Sequence, residues 1–171
     1  MSTITSSFIT TNPGVAGPGS VAWTTSDGAL EAGGDVAACA LPRSRSSTLL
    51  KLLGQATVIT SDVLGRTLRL YIYADLSGAI IVAMYAIHSG VLGDNLLDGP
   101  IALAGGVSAW YEITDATAWT IAQANAATSG YAIVINTDDS QVENIVQVDD
   151  SETVTSVAEV AVSTTLGTII Q

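Results

Sequence analysis

The side chains best equipped for chemistry in this sequence are carboxylates. Asp138, Asp139, Glu143, Asp149, Asp150 and Glu152 fall within fifteen residues, around what read as two strand ends. Hard oxygen ligands held close together bind Ca²⁺, and sandwich loops supply them. The spacing does not match the EF-hand pattern, and Asp is equally at home in turns, where it bonds to the backbone. These six residues are candidate calcium ligands; no other cofactor is expected. Paired carboxylates also suit glycoside hydrolysis, which needs one carboxyl in an apolar pocket facing another across a cleft. Here the carboxylates sit mainly in solvated turn contexts, so hydrolysis is not expected.

Other catalytic groups are scarce. His88 is the sole histidine, closes an apolar stretch, and has no nearby Ser or Cys in a motif such as Gly-x-Ser-x-Gly. The glycines of 104–107 lack the Lys and the strand-to-helix setting of a phosphate loop. Cys39 stands alone, which excludes an internal disulfide or a CxxC pair and leaves a small buried hydrophobe. No catalytic residue is expected.

Trp110 and Tyr111 are the pair most suited to a sugar, because flat aromatic faces stack on pyranose rings. Trp23 and Trp119 offer the same chemistry, while burial in a core is the plainer role for any of the four. Neighbouring residues of a strand point to opposite faces, so one of Trp110 and Tyr111 faces outward. That ring either meets a ligand or lies in a subunit interface, where aromatics are enriched.

Charge is distributed unevenly. Arg43, Arg45, Lys51, Arg66 and Arg69 are all the basic residues of the chain, whereas twelve acids follow Arg69 and the net charge is −11. Such a body repels phosphate backbones, so no nucleic acid is expected as a partner. The five basic residues form a candidate patch for assembly contacts on an acidic neighbour, including another copy of the chain.

The elements that must position these groups read as strands. The length of 171 residues suits one domain. The apolar run 79–87 is far short of the ~20 residues of a membrane-spanning helix, so no membrane span is expected. The first residues lack the basic and apolar regions of a secretion signal, which predicts synthesis in a cytoplasm. Residues 1–20, with Pro13, Gly14, Gly17, Pro18 and Gly19, predict an extended N-terminal arm. Strands are expected at 56–60, 67–74, 79–88, 107–113, 130–136, 141–148 and 154–163, with one short helix within 116–127. In 67–74, Leu68, Leu70 and Ile72 share one face, and Arg69, Tyr71 and Tyr73 the other. Together these predict an all-β fold: a single antiparallel, jelly-roll-like β-sandwich over 21–171.

Three stretches carry a further resemblance. Ala22-Trp23 is followed by Asp27-Gly28 and the small-residue strand 36–41. Ala118 to Asn125 leads into 130–136. Residues 151–162 alternate as a final strand. This order resembles the jelly-roll domains of tailed-bacteriophage structural proteins, found in fibres, tail appendages and capsid decoration. The resemblance implies a non-enzymatic virion protein, made in the host cytoplasm and acting by assembly. Its expected partners are copies of itself, trimers by analogy, and a major capsid protein or other virion proteins. Its low charged content, 12%, suits a surface buried against neighbours. The alternative is a carbohydrate-binding module or a receptor-binding fibre tip. Two or more aromatics exposed in one groove favour the sugar; aromatics buried between subunits favour assembly.

Overall fold

Alternation of apolar and polar residues sets the sheets. The computed structural model describes residues 1–30, 35–138 and 143–159. Its strands are β1 (Ser2–Ser7), β2 (Thr10–Asn12), β3 (Ser20–Val21), β4 (Ala37–Leu41), β5 (Ser46–Ser47), β6 (Leu50–Leu53), β7 (Val63–Ala74), β8 (Ala79–His88), β9 (Val91–Asn95), β10 (Ile101–Ala102), β11 (Val107–Asp115), β12 (Gly130–Thr137) and β13 (Asn144–Val157). A 3-10 turn, Ser26–Ala29, and a single α-helix, α1 (Ile121–Asn125), complete the described elements.

Among the described residues the strands form two sheets. The first runs β1-β13-β7-β11, with β4 also paired to β13. The second runs β10-β8-β12-β5-β3, with β9 on β8, β6 on β12 and β2 on β6. All pairings are antiparallel except the short β3–β5 match. The fold is an antiparallel β-sandwich, as the alternation predicts.

One core lies between the sheets. Leu68, Leu70 and Ile72 from β7 meet Ile81, Met84, Ile133, Ile135, Leu50 and Leu52 from the second sheet, all fully or almost fully buried. Each such side chain contributes about 1.5–3 kcal/mol through burial, which explains why the alternation fixes the faces. The apolar run of β8 forms a strand, not a helix, because it is central, flanked by β12 on one side and by β9 and β10 on the other. Gly130 opens β12 where the backbones crowd: a Cβ there would run into the carbonyl of Leu52.

Several expectations change. The N-terminal segment is extended, but it is no free arm: β1 lies along β13 from Ser2↔Val157 to Ser7↔Glu152, and β2 along β6. Its backbone groups find their partners in the chain's own sheets, so its low apolar content does not matter. Residues 56–60 are not a strand; Ile59 is buried, and its N–H and carbonyl are both bonded by the Asn125 side chain (2.8 and 2.7 Å). The strands expected at 141–148 and 154–163 are one strand, β13, bent by a bulge between Val148 and Asp150. The remainder of the second, 160–163, lies outside the described residues, as do 141 and 142.

The expected short helix is cut to α1. A capping box fixes its start: Thr120 Oγ1 accepts from Gln123 N, and Gln123 Oε1 accepts from Thr120 N.

Candidate ligand-binding face

The outer face of the five-stranded sheet is assembled by register. β11 pairs with β7 so that Trp110 lies opposite Tyr71, Glu112 opposite Arg69 and Ser108 opposite Tyr73. On the other side of β7, Asp150 lies opposite Tyr71 and Glu152 opposite Arg69. The odd residues 67–73 of β7 face away from the core, and the even residues of β11 join them.

Trp110 is 40% exposed. Its ring centroid is 5.2 Å from that of Tyr71, tilted by 41°. Tyr73 is the next outward residue along β7, also half-buried, about 7 Å along the strand by standard geometry. The Arg69 guanidinium carbon sits 4.5 Å from the Trp110 ring centroid. Arg69 Nη1 is bonded to Glu152 Oε1, and its Nε lies 3.0 Å from Glu112 Oε1, near enough for ion pairing though poorly aligned for a hydrogen bond. Burial holds the Asp150 carboxyl above the ordinary aspartate range. Glu152 and Asp149 push it the same way, while the Ser151 N–H and Arg69 oppose them.

The result is an outward sheet face that carries one exposed and two half-buried aromatic rings beside charged side chains. Aromatic faces of this kind can stack on the C–H face of a sugar ring, and carboxylates beside them can accept from its hydroxyls. No proton-transfer pair stands out on it: Glu112 and Glu152 share one arginine on an open face, not an acid and a base across a cleft.

A second cluster lies on the core side of the same sheet. Arg66 is 3% exposed. Its guanidinium carbon is 4.3 Å from the Trp119 ring centroid and 5.5 Å from that of Tyr131. Its Nη2 donates to Gln55 Oε1 (2.9 Å) and its Nε to Thr155 Oγ1 (3.3 Å). Burial lowers the Arg66 pKa, while Tyr131 and Asp115 act against that shift. Asp115, 1% exposed, accepts from Thr117 N (2.8 Å), Thr117 Oγ1 (2.6 Å), Trp119 Nε1 (2.7 Å) and Tyr131 Oη (2.8 Å). His88 stacks on Trp119, with ring centroids 4.1 Å apart. Its Nε2 is 3.5 Å from Thr117 Oγ1. The Thr117 hydroxyl donates to Asp115, however, so the order of a nucleophile–histidine–carboxylate relay is absent.

The expected residues are distributed as follows. Of the aromatic pair, Trp110 is the outward ring; Tyr111 lies on the core side, its hydroxyl accepting from Ala104 N (2.9 Å). Trp23 and Trp119 are buried, and Trp23 Nε1 donates to Thr48 O (3.0 Å). The five basic residues form no common patch. Arg43 and Arg45 are exposed between β4 and β5, Lys51 is on β6 in the other sheet, Arg66 is buried, and Arg69 is held by Glu112 and Glu152. Alternation along β7 explains the split: positions 66 and 69 differ by an odd number and face opposite sides.

The carboxylates are likewise divided. Asp149, Asp150 and Glu152 lie on β13 beside Tyr71 and Arg69, whereas Asp138 follows β12 and packs at the Gly78 turn. Glu143 is exposed just before β13, and Asp139 lies outside the described residues. Among the described residues no three metal-ligating side chains gather to hold an ion. Cys39 is buried, and burial pushes its thiol up to about 12.

Comparison with known proteins adds little chemistry. No family model matches the sequence. No curated protein matches it. One solved structure, described as "CBM4 structure and function", is similar over 90% of this chain and 94% of that one, with a TM-score of 0.45 and 16% identity.

Sequence alone does not single out Tyr71, Tyr73 or Asp115 as site residues. The two tyrosines were already placed on one face with Arg69, but only the β7–β11 register brings Trp110 to them. Nothing local marks Asp115, whose partners at 117, 119 and 131 come from a loop and a separate strand.

Proposed function

We propose that the chain is a non-catalytic binding module that takes a carbohydrate on the outer face of its five-stranded sheet. The observation that carries this reading is the grouping of Trp110, Tyr71 and Tyr73 on one open surface, with Trp110 40% exposed and its ring 5.2 Å from Tyr71. An aromatic row flanked by hydrogen-bonding groups matches the two faces of a sugar, apolar C–H and polar hydroxyl. The test is titration calorimetry against soluble oligosaccharides and pull-down on insoluble polysaccharides. Binding by the intact chain, lost in Trp110→Ala without loss of fold, is the expected result. Equal binding by both proteins would remove the assignment.

A second reading rests on a different observation. Val15, Val91, Val58 and Leu64 are 93%, 69%, 67% and 59% exposed, in a chain with only 12% charged residues. Apolar side chains so presented suit burial against neighbours. They suit an assembling protein; that it would be a decoration or cement protein of a tailed-phage virion, binding copies of itself and capsid or other virion proteins, rests on the sequence resemblance alone. A glycan-reading fibre tip would join the two readings. Light scattering of the purified protein, followed by binding to capsid shells, checks this one: a stable oligomer that coats shells is expected, and a monomer indifferent to shells would exclude it.

A further inference from the structure

The Trp110 surface also has a sign. Glu112 and Glu152 lie opposite Arg69, Asp150 lies opposite Tyr71, and Arg69 is the one cation among them. Three carboxylates against one guanidinium leave two negative charges in excess. Arg69 is moreover committed: stacked on Trp110 and tied to both glutamates, it has little left to offer an anion. Glu112 is the free end of this arrangement. Its side chain is 63% exposed, and only Oε1 engages Arg69. Glu112 lies two residues from Trp110 on the same outward side of β11, so its side chain borders the site a stacked sugar would occupy.

Building on the glycan-binding reading above, we propose that this surface ranks glycans by charge, taking amino-bearing sugars above neutral ones and rejecting acidic ones, with Glu112 as the specificity-determining residue. The ring provides attraction common to all pyranoses. Glu112 provides the difference, by pairing with an ammonium group and repelling a carboxylate.

The test uses three soluble oligosaccharides of equal length: glucosamine, N-acetylglucosamine and galacturonate oligomers. They are titrated into the wild-type chain, Glu112→Gln and Trp110→Ala. At low salt the wild type should bind the glucosamine oligomer about fivefold more tightly than its acetylated counterpart, the size of an exposed charge pair. Galacturonate should not bind measurably. Salt and Glu112→Gln should each erase the advantage of the amine, because exposed pairs are screened.

A net charge of −11 attracts any polycation, so the Trp110→Ala variant is the control. Amine binding that survives in Trp110→Ala reports the acidic body as a whole and overturns the proposal. Galacturonate binding as tight as the rest, or a ranking unmoved by Glu112→Gln, overturns it as well. Trp110-dependent binding without any charge order defeats this proposal alone. Absence of binding by every oligomer, in the wild type too, defeats the glycan-binding reading beneath it.

Discussion

Two arginines three residues apart on β7 each place the guanidinium over a tryptophan ring, on opposite sides of one sheet. Arg66 sits 4.3 Å from the Trp119 ring centroid and is 3% exposed; Arg69 sits 4.5 Å from that of Trp110 at the surface. The stacking geometry is nearly the same, and the surroundings are not. Around Arg66, water is excluded, and each polar atom of Asp115 and most of Arg66 is spoken for by Gln55, Thr155, Thr117, Trp119 and Tyr131. There the contact is strong because the dielectric is low, and removing one member strands the others. Around Arg69, solvent screens the charges, and the ring keeps surface to share with a visitor. One arrangement is sealed in the core; the other lies on the outer face, where we propose a ligand binds.

Breaking the inner stack should cost most. Arg66→Ala should lower stability by about 3–5 kcal/mol, because Asp115 stays buried without its nearby cation and a cavity opens against Trp119 and Tyr131. Thermal unfolding and the denaturant midpoint measure it, and a loss below about 1 kcal/mol would show that water already compensates the guanidinium. Tyr131→Phe tests the same cluster more gently. It removes the 2.8 Å bond to Asp115 Oδ2, which also accepts from Trp119, so a loss of about 1–2 kcal/mol is expected.

The outer stack should respond in the opposite way. Trp110→Ala should change stability by less than about 1 kcal/mol, as surface substitutions do, while abolishing glycan binding. A large fall in melting temperature would put Trp110 in the structural class with Trp119 and remove the contrast between the faces.

The smallest effect concerns Asp150, whose folded carboxyl titrates above the ordinary range because it is partly buried beside Glu152 and Asp149. The folded chain thus holds that proton more tightly than the unfolded chain. Its contribution favours folding below the ordinary value of about 3.9 and is lost as pH rises through the raised one. Asp150→Asn keeps the acceptor for Ser151 N and removes the charge. It should raise the melting temperature slightly at neutral pH, and the gain should vanish in acid. Melting curves across that range decide it.

How far the sequence foretold these two faces differs between them. β7 and β8 were legible from alternation over 67–74 and uniform apolarity over 79–88; β8 has the expected bounds, whereas β7 begins four residues earlier, at Val63, where the apolar–polar alternation is weaker. The outward position of one ring of Trp110 and Tyr111 followed from strand geometry alone. Which strand would stand beside it did not, since register between 66–74 and 107–115 depends on a long connection with no local signature. The inner cluster was less legible still. Arg66 reads as one more basic residue among five, and only Trp119 from the loop before α1 and Tyr131 from β12 give it aromatic company. The N-terminal segment misled for a related reason: Ser, Thr and Gly look like an arm until a long last strand offers them an edge.

That last strand has a consequence for how the molecule is made. β13 is the neighbour of β1, β4 and β7, so three earlier parts of the chain wait on residues 144–157 for their partners. During synthesis β1 would emerge with nowhere to pair, and β7 would carry its leucines with one side open, until residues 144–157 have left the ribosome. Closure of the sheet is therefore a late, all-at-once event dominated by distant contacts, the kind that folds slowly and needs shielding in the interval. The face that holds Trp110 comes into being only with that final step, since β7 gains its second neighbour there.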